Sequence, residues 1–347
     1  MLGAQVMRRY LGYGGRYVIS RFWTHYPIIL THSVTSKCNC QCKICDVWRR
    51  QPAAAELKTE EIFRILNEAK QQNFVGYVAF GGEPLMRPDI LDIFEEAHRL
   101  GLYTSLITNG TLLSNYANRL AKIVDLTWVS LDYDSDYHNI MRGSSGIFNK
   151  AVEGIKDLRR AGGRVVINCV LSQLNLDAVP HMGKITQRLH ARIAFDPMEV
   201  FEGCNEDLAL TSSQRQKVFS QVAALKKEGY PILNSKEFID STQSQEQYHC
   251  AQPRIFIKMY EDGKIKPFWC KKNPNVIGDL RKQSLGSFLQ SNPYRQFREA
   301  AWDCGLCRNS CQMETSMFYS VDCFVKRIFQ RKNSIMKFLV DYGGITN

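Results

Sequence analysis

Cys38-Asn39-Cys40-Gln41-Cys42-Lys43-Ile44-Cys45 places four of the chain's twelve cysteines in eight residues, with no acidic side chain before Asp46. Thiolates this dense repel one another unless a cation or a cluster holds them, so the stretch reads as a metal site. Two fillings are open. Four thiolates close a tetrahedral zinc site, structural and without a free position. Alternatively Cys38, Cys42 and Cys45, spaced C-x3-C-x2-C, wrap an iron–sulfur cube with Cys40 as a spare. Three protein ligands on four irons leave one iron free to bind something else. The local pattern does not choose.

Working outward, Ile28–Val34 reads as a strand feeding the cysteine loop, and Thr59 as the cap of a helix running to Gln72, with Glu60 and Glu61 near its N-terminus. Val75–Phe80 is a second strand, ending abruptly at Gly81-Gly82-Glu83-Pro84. Further strands are expected at Tyr103–Ile107, Thr127–Leu131, Arg164–Val170 and Arg192–Phe195. Helices are expected at Asp89–Leu100, Asn115–Ile123, Phe148–Ala161, Asp177–Leu189 and Ser212–Glu228. Strict alternation of this kind means a parallel sheet with helices outside, here an α/β partial (β/α)6 TIM-like barrel. Chemistry in such barrels sits at the C-terminal ends of the strands, where every distinctive motif of this chain falls. The paired glycines of Gly81-Gly82-Glu83-Pro84 let backbone approach a ligand closely.

C-x3-C-x2-C after a first strand and Gly-Gly-Glu-Pro after a second resemble the radical S-adenosylmethionine (SAM) superfamily. Thr108-Asn109-Gly110, Ser130-Leu131-Asp132, Met141-Arg142-Gly143 and Gly146-Ile147-Phe148 extend the resemblance over residues 28–312. It implies a [4Fe–4S] cluster on Cys38, Cys42 and Cys45, with SAM chelating the open iron. Reductive cleavage of SAM then gives a 5′-deoxyadenosyl radical that takes hydrogen from an unactivated carbon. By the same analogy Gly82 and Glu83, within Gly81–Pro84, contact the SAM amino group, Ser130 the ribose and Arg142 the carboxylate. Asn168 is a further candidate for the ribose or adenine. The bland reading of Arg142 is a surface salt bridge to Asp132 or Asp136. Two residues depart from the pattern: Ile44 stands where an aromatic residue is common, and Cys40 is extra. Cys169 reads as a buried small hydrophobe, and Cys204 as a spare thiol or a partner for a substrate radical.

A second set, Cys250, Cys270, Cys304, Cys307, Cys311 and Cys323, follows. A hairpin with Gly263 in its turn is expected to bring Cys250 near Cys270, and a helix over Ser284–Ala300 leads to Cys304. After such a core this resembles a twitch or shortened SPASM domain. The resemblance implies an auxiliary [4Fe–4S] cluster on Cys250, Cys270, Cys304 and Cys307. Cys311 and Cys323 are too few for a full second cluster, and either is a replacement for Cys307 or leaves an iron open to substrate. The divisions are residues 1–27, a basic aromatic-rich segment; 28–230, the core; 231–323, a small α+β auxiliary cluster domain; and 324–347, a basic amphipathic tail.

Composition is that of a soluble globular protein, and many cysteines without a signal peptide point to a reducing cytosol. The net charge of +11 is uneven: residues 1–37 carry +5 and residues 324–347 carry +4. Cationic ends interleaved with aromatics suit lipid headgroups better than a nucleic-acid groove, so no nucleic acid is expected. Residues 1–27 read either as an interfacial helix or, more blandly, as a helix packed against the main domain with its arginines solvated. The expected location is the cytoplasm, peripherally at the inner membrane face. The first reading is therefore hydrogen abstraction from a lipid-like substrate. The second is maturation of a ribosomal peptide by a SPASM-type enzyme, against which no stretch of about 80 residues is spare for a leader-binding module. A non-catalytic metal-binding scaffold is the third. Either enzyme needs a flavodoxin- or ferredoxin-type electron donor or a reductase, and a small-molecule, lipid or peptide substrate.

Overall fold

The computed structural model describes residues 12–50, 55–244, 248–267 and 275–319. Cys270, Cys323 and the basic tail lie outside the described residues. Six parallel strands form the body: β1 (Ile29–Thr35), β2 (Gly76–Gly81), β3 (Tyr103–Thr108), β4 (Leu126–Ser130), β5 (Val165–Leu171) and β6 (Arg192–Pro197). Each pairs with the next in register, for example Leu30 with Tyr77 and Ser130 with Asn168. Helices cover the outside: α1 (Thr59–Gln71), α2 (Ile90–Arg99), α3 (Leu113–Ile123), α4 (Tyr137–Arg142), α5 (Ile147–Arg160), α6 (Ala178–Leu189) and α7 (Ser212–Lys227). This is the partial (β/α)6 barrel that the alternation dictates. One continuous core of Leu, Ile, Val and Phe fills the layer between sheet and helices.

Two local expectations are corrected. Thr59 is the first residue of α1 and not its cap: Lys58 stands at the cap position, its backbone N–H donates to Glu61 at 2.7 Å, and the Thr59 hydroxyl donates to Asp89. The helix expected over Ser284–Ala300 is two, α8 (Leu285–Leu289) and α9 (Asn292–Trp302). Ser291 accepts the Tyr294 N–H as a new cap and Pro293 lacks the N–H a continuous helix needs, so the chain restarts there.

The hairpin is present as β7 (Phe256–Met259) and β8 (Lys264–Ile265), turning through Gly263 at φ +83. Its first strand runs parallel to β1, with Thr31 opposite Lys258, so the sheet continues past β1 through β7 and β8 to β9 (Gly278–Asp279). At the other edge, Ile193 and Phe195 of β6 bond to Pro231 and Asn234. The chain after residue 230 therefore lies along both edges of the six-stranded sheet.

Candidate active site

The cysteine loop leaves β1 and is fastened to three neighbours. Gly82 N–H donates to Thr35 O and Glu83 N–H to Lys37 O, both at 2.8 Å. A Cβ on Gly81 would stand 2.5 Å from Thr35 O, and one on Gly82 only 2.1 Å from Lys37 O. The close approach these glycines permit is thus to the backbone entering the loop. From the opposite side, Gln41 and Lys43 donate their N–H groups to Arg142 and Met141 carbonyls at the end of α4. Gly143 ends that helix at φ +62, and a Cβ there would lie 2.2 Å from Gln41 O. Trp48 closes the loop by donating its indole N–H to Cys42 O at 2.9 Å, while Ile44 is buried among Ile147, Met198 and Val170.

Glu83 is wholly buried. Its carboxylate accepts from Thr108 Oγ1 (2.7 Å), Asn109 N (2.8 Å) and Leu85 N (3.1 Å), tying the β2 exit to the β3 exit. Burial pushes its carboxyl up to about 6, opposed by those three hydrogen bonds. Asn109 then donates to Asn39 Oδ1 (2.8 Å) and reaches the Cys40 thiol at 3.2 Å. Cys40 stands between its neighbours: its thiol hydrogen-bonds to Cys38 and Cys42, which raises its own pKa and lowers theirs. Cys42 falls to about 6, through the Cys40 hydrogen bond first and then Arg142. Burial pushes Cys45 up to about 11.

Arg142 pairs with Asp132, one of its two alternative partners by sequence, but in the interior. Nε donates to Asp132 Oδ2 at 2.7 Å, and Nη1 faces Cys42 Sγ at 3.9 Å. Nη2 also lies 2.7 Å from the carboxylate, yet it is buried and makes no aligned hydrogen bond. Burial opposes the charge of this guanidinium, and Asp132 and Cys42 outweigh that opposition. Asp132 itself accepts Val170 N–H at 3.0 Å and donates its own N–H to His138 Nδ1 at 3.1 Å.

Ser130 and Asn168 are register partners on adjacent strands, both half-buried. Val170 packs against the cysteine loop whereas Ile167 and Cys169 lie in the outer core, so period-two alternation turns Asn168 to the inner face. Cys169 is accordingly a buried core residue. The Cys204 thiol is held by the Arg49 guanidinium at 2.6 Å. Lys258 of β7 went unnoticed in the sequence. It is buried, 5.1 Å from the Phe80 ring centre and 4.4 Å from that of Tyr260, and burial lowers its pKa to about 7.

Among the described residues of the second cysteine set, Cys304 and Cys307 are buried and Cys250 is half-buried. Tyr248 gathers these three. Its hydroxyl donates to Cys307 O at 2.9 Å, and a Cβ on Gly305 would lie 2.4 Å from Tyr248 O. All three thiols help to hold the phenol above its ordinary pKa, after burial. Cys311 follows Ser310, which donates to Asp196 of β6 at 2.7 and 3.0 Å. Asn309 donates to Glu199. Among the described residues no three His, Cys, Asp or Glu side chains are grouped so as to hold a single metal ion.

Residues 32–182 match the model of the radical SAM superfamily. The chain is 25% identical over 308 residues to the PqqA peptide cyclase of Granulibacter bethesdensis, covering 83% of this chain and 80% of that protein. It is 29% identical over 172 residues to the AdoMet-dependent heme synthase of Methanosarcina barkeri, covering about half of each, 48% and 49%. Among solved structures, Streptococcus suis SuiB bound to precursor peptide SuiA superposes with a TM-score of 0.68 at 15% identity, over 82% of this chain and 70% of that one. Native anSMEcpe with bound AdoMet gives 0.64 at 17% identity, over 84% and 86%. At such identities the structural likeness establishes the fold alone.

Proposed function

The chain is a radical SAM enzyme whose matched domain spans residues 32–182, and on that premise we propose that it modifies a peptide. The residues at the mouth suit the cofactors the superfamily uses. Cys38, Cys42 and Cys45 are our ligands for a [4Fe–4S] cluster, with Cys40 between them as a spare thiol within hydrogen-bond reach of Cys38 and Cys42. The buried Arg142 guanidinium, paired with Asp132 through Nε and Nη2 and facing Cys42 Sγ with Nη1 at 3.9 Å, suits an anionic group beside Cys42, whether cluster or SAM carboxylate. When bound, cluster and SAM supply a 5′-deoxyadenosyl radical able to take hydrogen from an unactivated carbon.

The protein's own residues do the rest. Gly81, Gly82, Glu83 and Pro84 fix the β2 exit against the loop, Glu83 through the backbone that its carboxylate organises. Ser130 and Asn168 offer adjacent polar groups on the inner face for the ribose. Cys250, Cys304 and Cys307 around Tyr248, together with Cys270, are our ligands for an auxiliary cluster. Cys311 is a substitute ligand. A flavodoxin- or ferredoxin-type protein or a reductase is the proposed electron donor.

The peptide reading rests on the match to a peptide cyclase along most of both chains. The lipid-like alternative rested on the basic aromatic ends, and the N-terminal one lies away from the mouth. Tyr13 packs on Tyr103, the first residue of β3, and donates to Gly101 O. The cysteine loop follows the last residue of β1. A seven-residue strand separates those levels by roughly 20 Å. The test is 5′-deoxyadenosine release by anaerobically reconstituted enzyme given a pooled peptide library or phospholipid vesicles. Stimulation by peptides with a changed peptide mass is expected; stimulation by lipid alone overturns the reading.

A further inference from the structure

We propose that the outward face of the N-terminal helix and the arginines beside it form a docking surface for an anionic phospholipid bilayer, independent of which substrate the mouth takes. Amphipathic helices on soluble proteins turn their polar side to water. This helix, described from Gly12 and ending in the turn Ser20–Thr24, does the reverse. Tyr13, Tyr17 and Ser20 bond inward to Gly101, Phe318 and Tyr26. Val18, Ile19, Phe22 and Trp23, spaced by four along the other side, are exposed, Trp23 by 71%. With Tyr26 they are five of the nine exposed large hydrophobic residues among those described, so the apolar exposure is concentrated and not scattered.

Charge selects the occupant. Arg21 lies over the Phe22 and Tyr319 rings, Arg298 over Tyr26 and Tyr294, and Arg254 over Trp302. Arg16 is exposed one turn earlier. Among the described residues no carboxylate pairs with any of these four arginines. His25 in their midst is held below its ordinary pKa, first by burial and then by Arg254, Arg298 and Arg21. Arginine with Trp, Phe and Tyr on one face is the composition that settles at the headgroup boundary.

Chain geometry adds to the charge. Tyr319, the last described residue, packs on Tyr17 and donates to Ser20 O. The basic segment 324–347, which carries +4, follows in the sequence and lies outside the described residues. Since the face belongs to the strand-start end of the barrel, a bilayer bound there leaves the mouth directed away from it.

The test is co-sedimentation of the full-length protein with phosphatidylcholine vesicles, with and without phosphatidylglycerol, together with tryptophan fluorescence. Binding only to the anionic vesicles is expected, with a blue shift that Trp23→Ser abolishes. Arg16→Gln should lower the partition coefficient by about fivefold. Both substitutions are at exposed positions, and an unchanged melting curve confirms that the variants are folded. No anionic-vesicle binding overturns the proposal. So does binding untouched by Trp23→Ser, which would assign it to the terminal segments alone. Protection of Trp23 from quenching by RNA or polyglutamate but not by vesicles also overturns it, because the occupant would then be another polyanion.

Discussion

Glu83 occupies a junction of two strand exits with no access to water, and its carboxyl is raised to about 6 by that burial. The folded chain therefore holds this proton more tightly than the unfolded chain, whose ordinary value is 4.5. By linkage its contribution to stability is fully present below about 4.5, declines as pH rises to about 6, and is level above, a change of about 2 kcal/mol. Glu83→Gln should remove this term: denaturant unfolding of wild type minus variant will fall between those pH values and stay flat beyond them. A constant difference would mean that Glu83 keeps its solution pKa. The sequence marks Glu83 through Gly-Gly-Glu-Pro, but not that its carboxylate is spent on Thr108, Asn109 and Leu85, which approach only when strands fold together. Arg142 is similar. Asp132 is ten residues away, and nothing local decides whether they meet in water or in the interior.

At the scale of elements, the alternation of apolar runs with amphipathic stretches was enough to place all six parallel strands within two residues of their ends. Thr59 and the long Ser284–Ala300 helix failed for local reasons already legible in Glu61 and Pro293. Glycines give the sharper test. Gly143 and Gly146 both sit near α4 and α5 at φ +62 and +68, so alanine strains the backbone at either by about 1–2 kcal/mol. Only at Gly143 would the methyl also strike Gln41 O; at Gly146 nothing lies within 4 Å. Gly143→Ala should push the cysteine loop outward and reduce iron incorporation severalfold while circular dichroism keeps its barrel signal. Gly146→Ala should incorporate iron normally. Equal incorporation by both would show that the α4 end does not hold the loop.

Across the whole molecule, the pairing of β7 with β1 joins residues more than two hundred positions apart, and no local pattern announces it. A boundary after residue 230 is natural in sequence, since the helical run ends there, but in space the following segments cover both edges of the sheet. A chain stopped at residue 230 would expose the β1 edge, a template for aggregation. It should be recovered mainly in the insoluble fraction, whereas the full chain unfolds in one transition; a soluble, cooperatively melting 1–230 fragment would contradict this. Membrane attachment through the strand-start end and peptide chemistry at the strand exits are compatible because they use opposite ends of one rigid sheet. Iron content measured beside 5′-deoxyadenosine release, on anaerobically reconstituted wild type and on Cys42→Ala and Cys304→Ala, tests the central claim most directly. The account predicts about eight irons and release for wild type, and about four for either variant, with release lost only in Cys42→Ala. Release that survives Cys42→Ala, or zinc in place of iron, would contradict it.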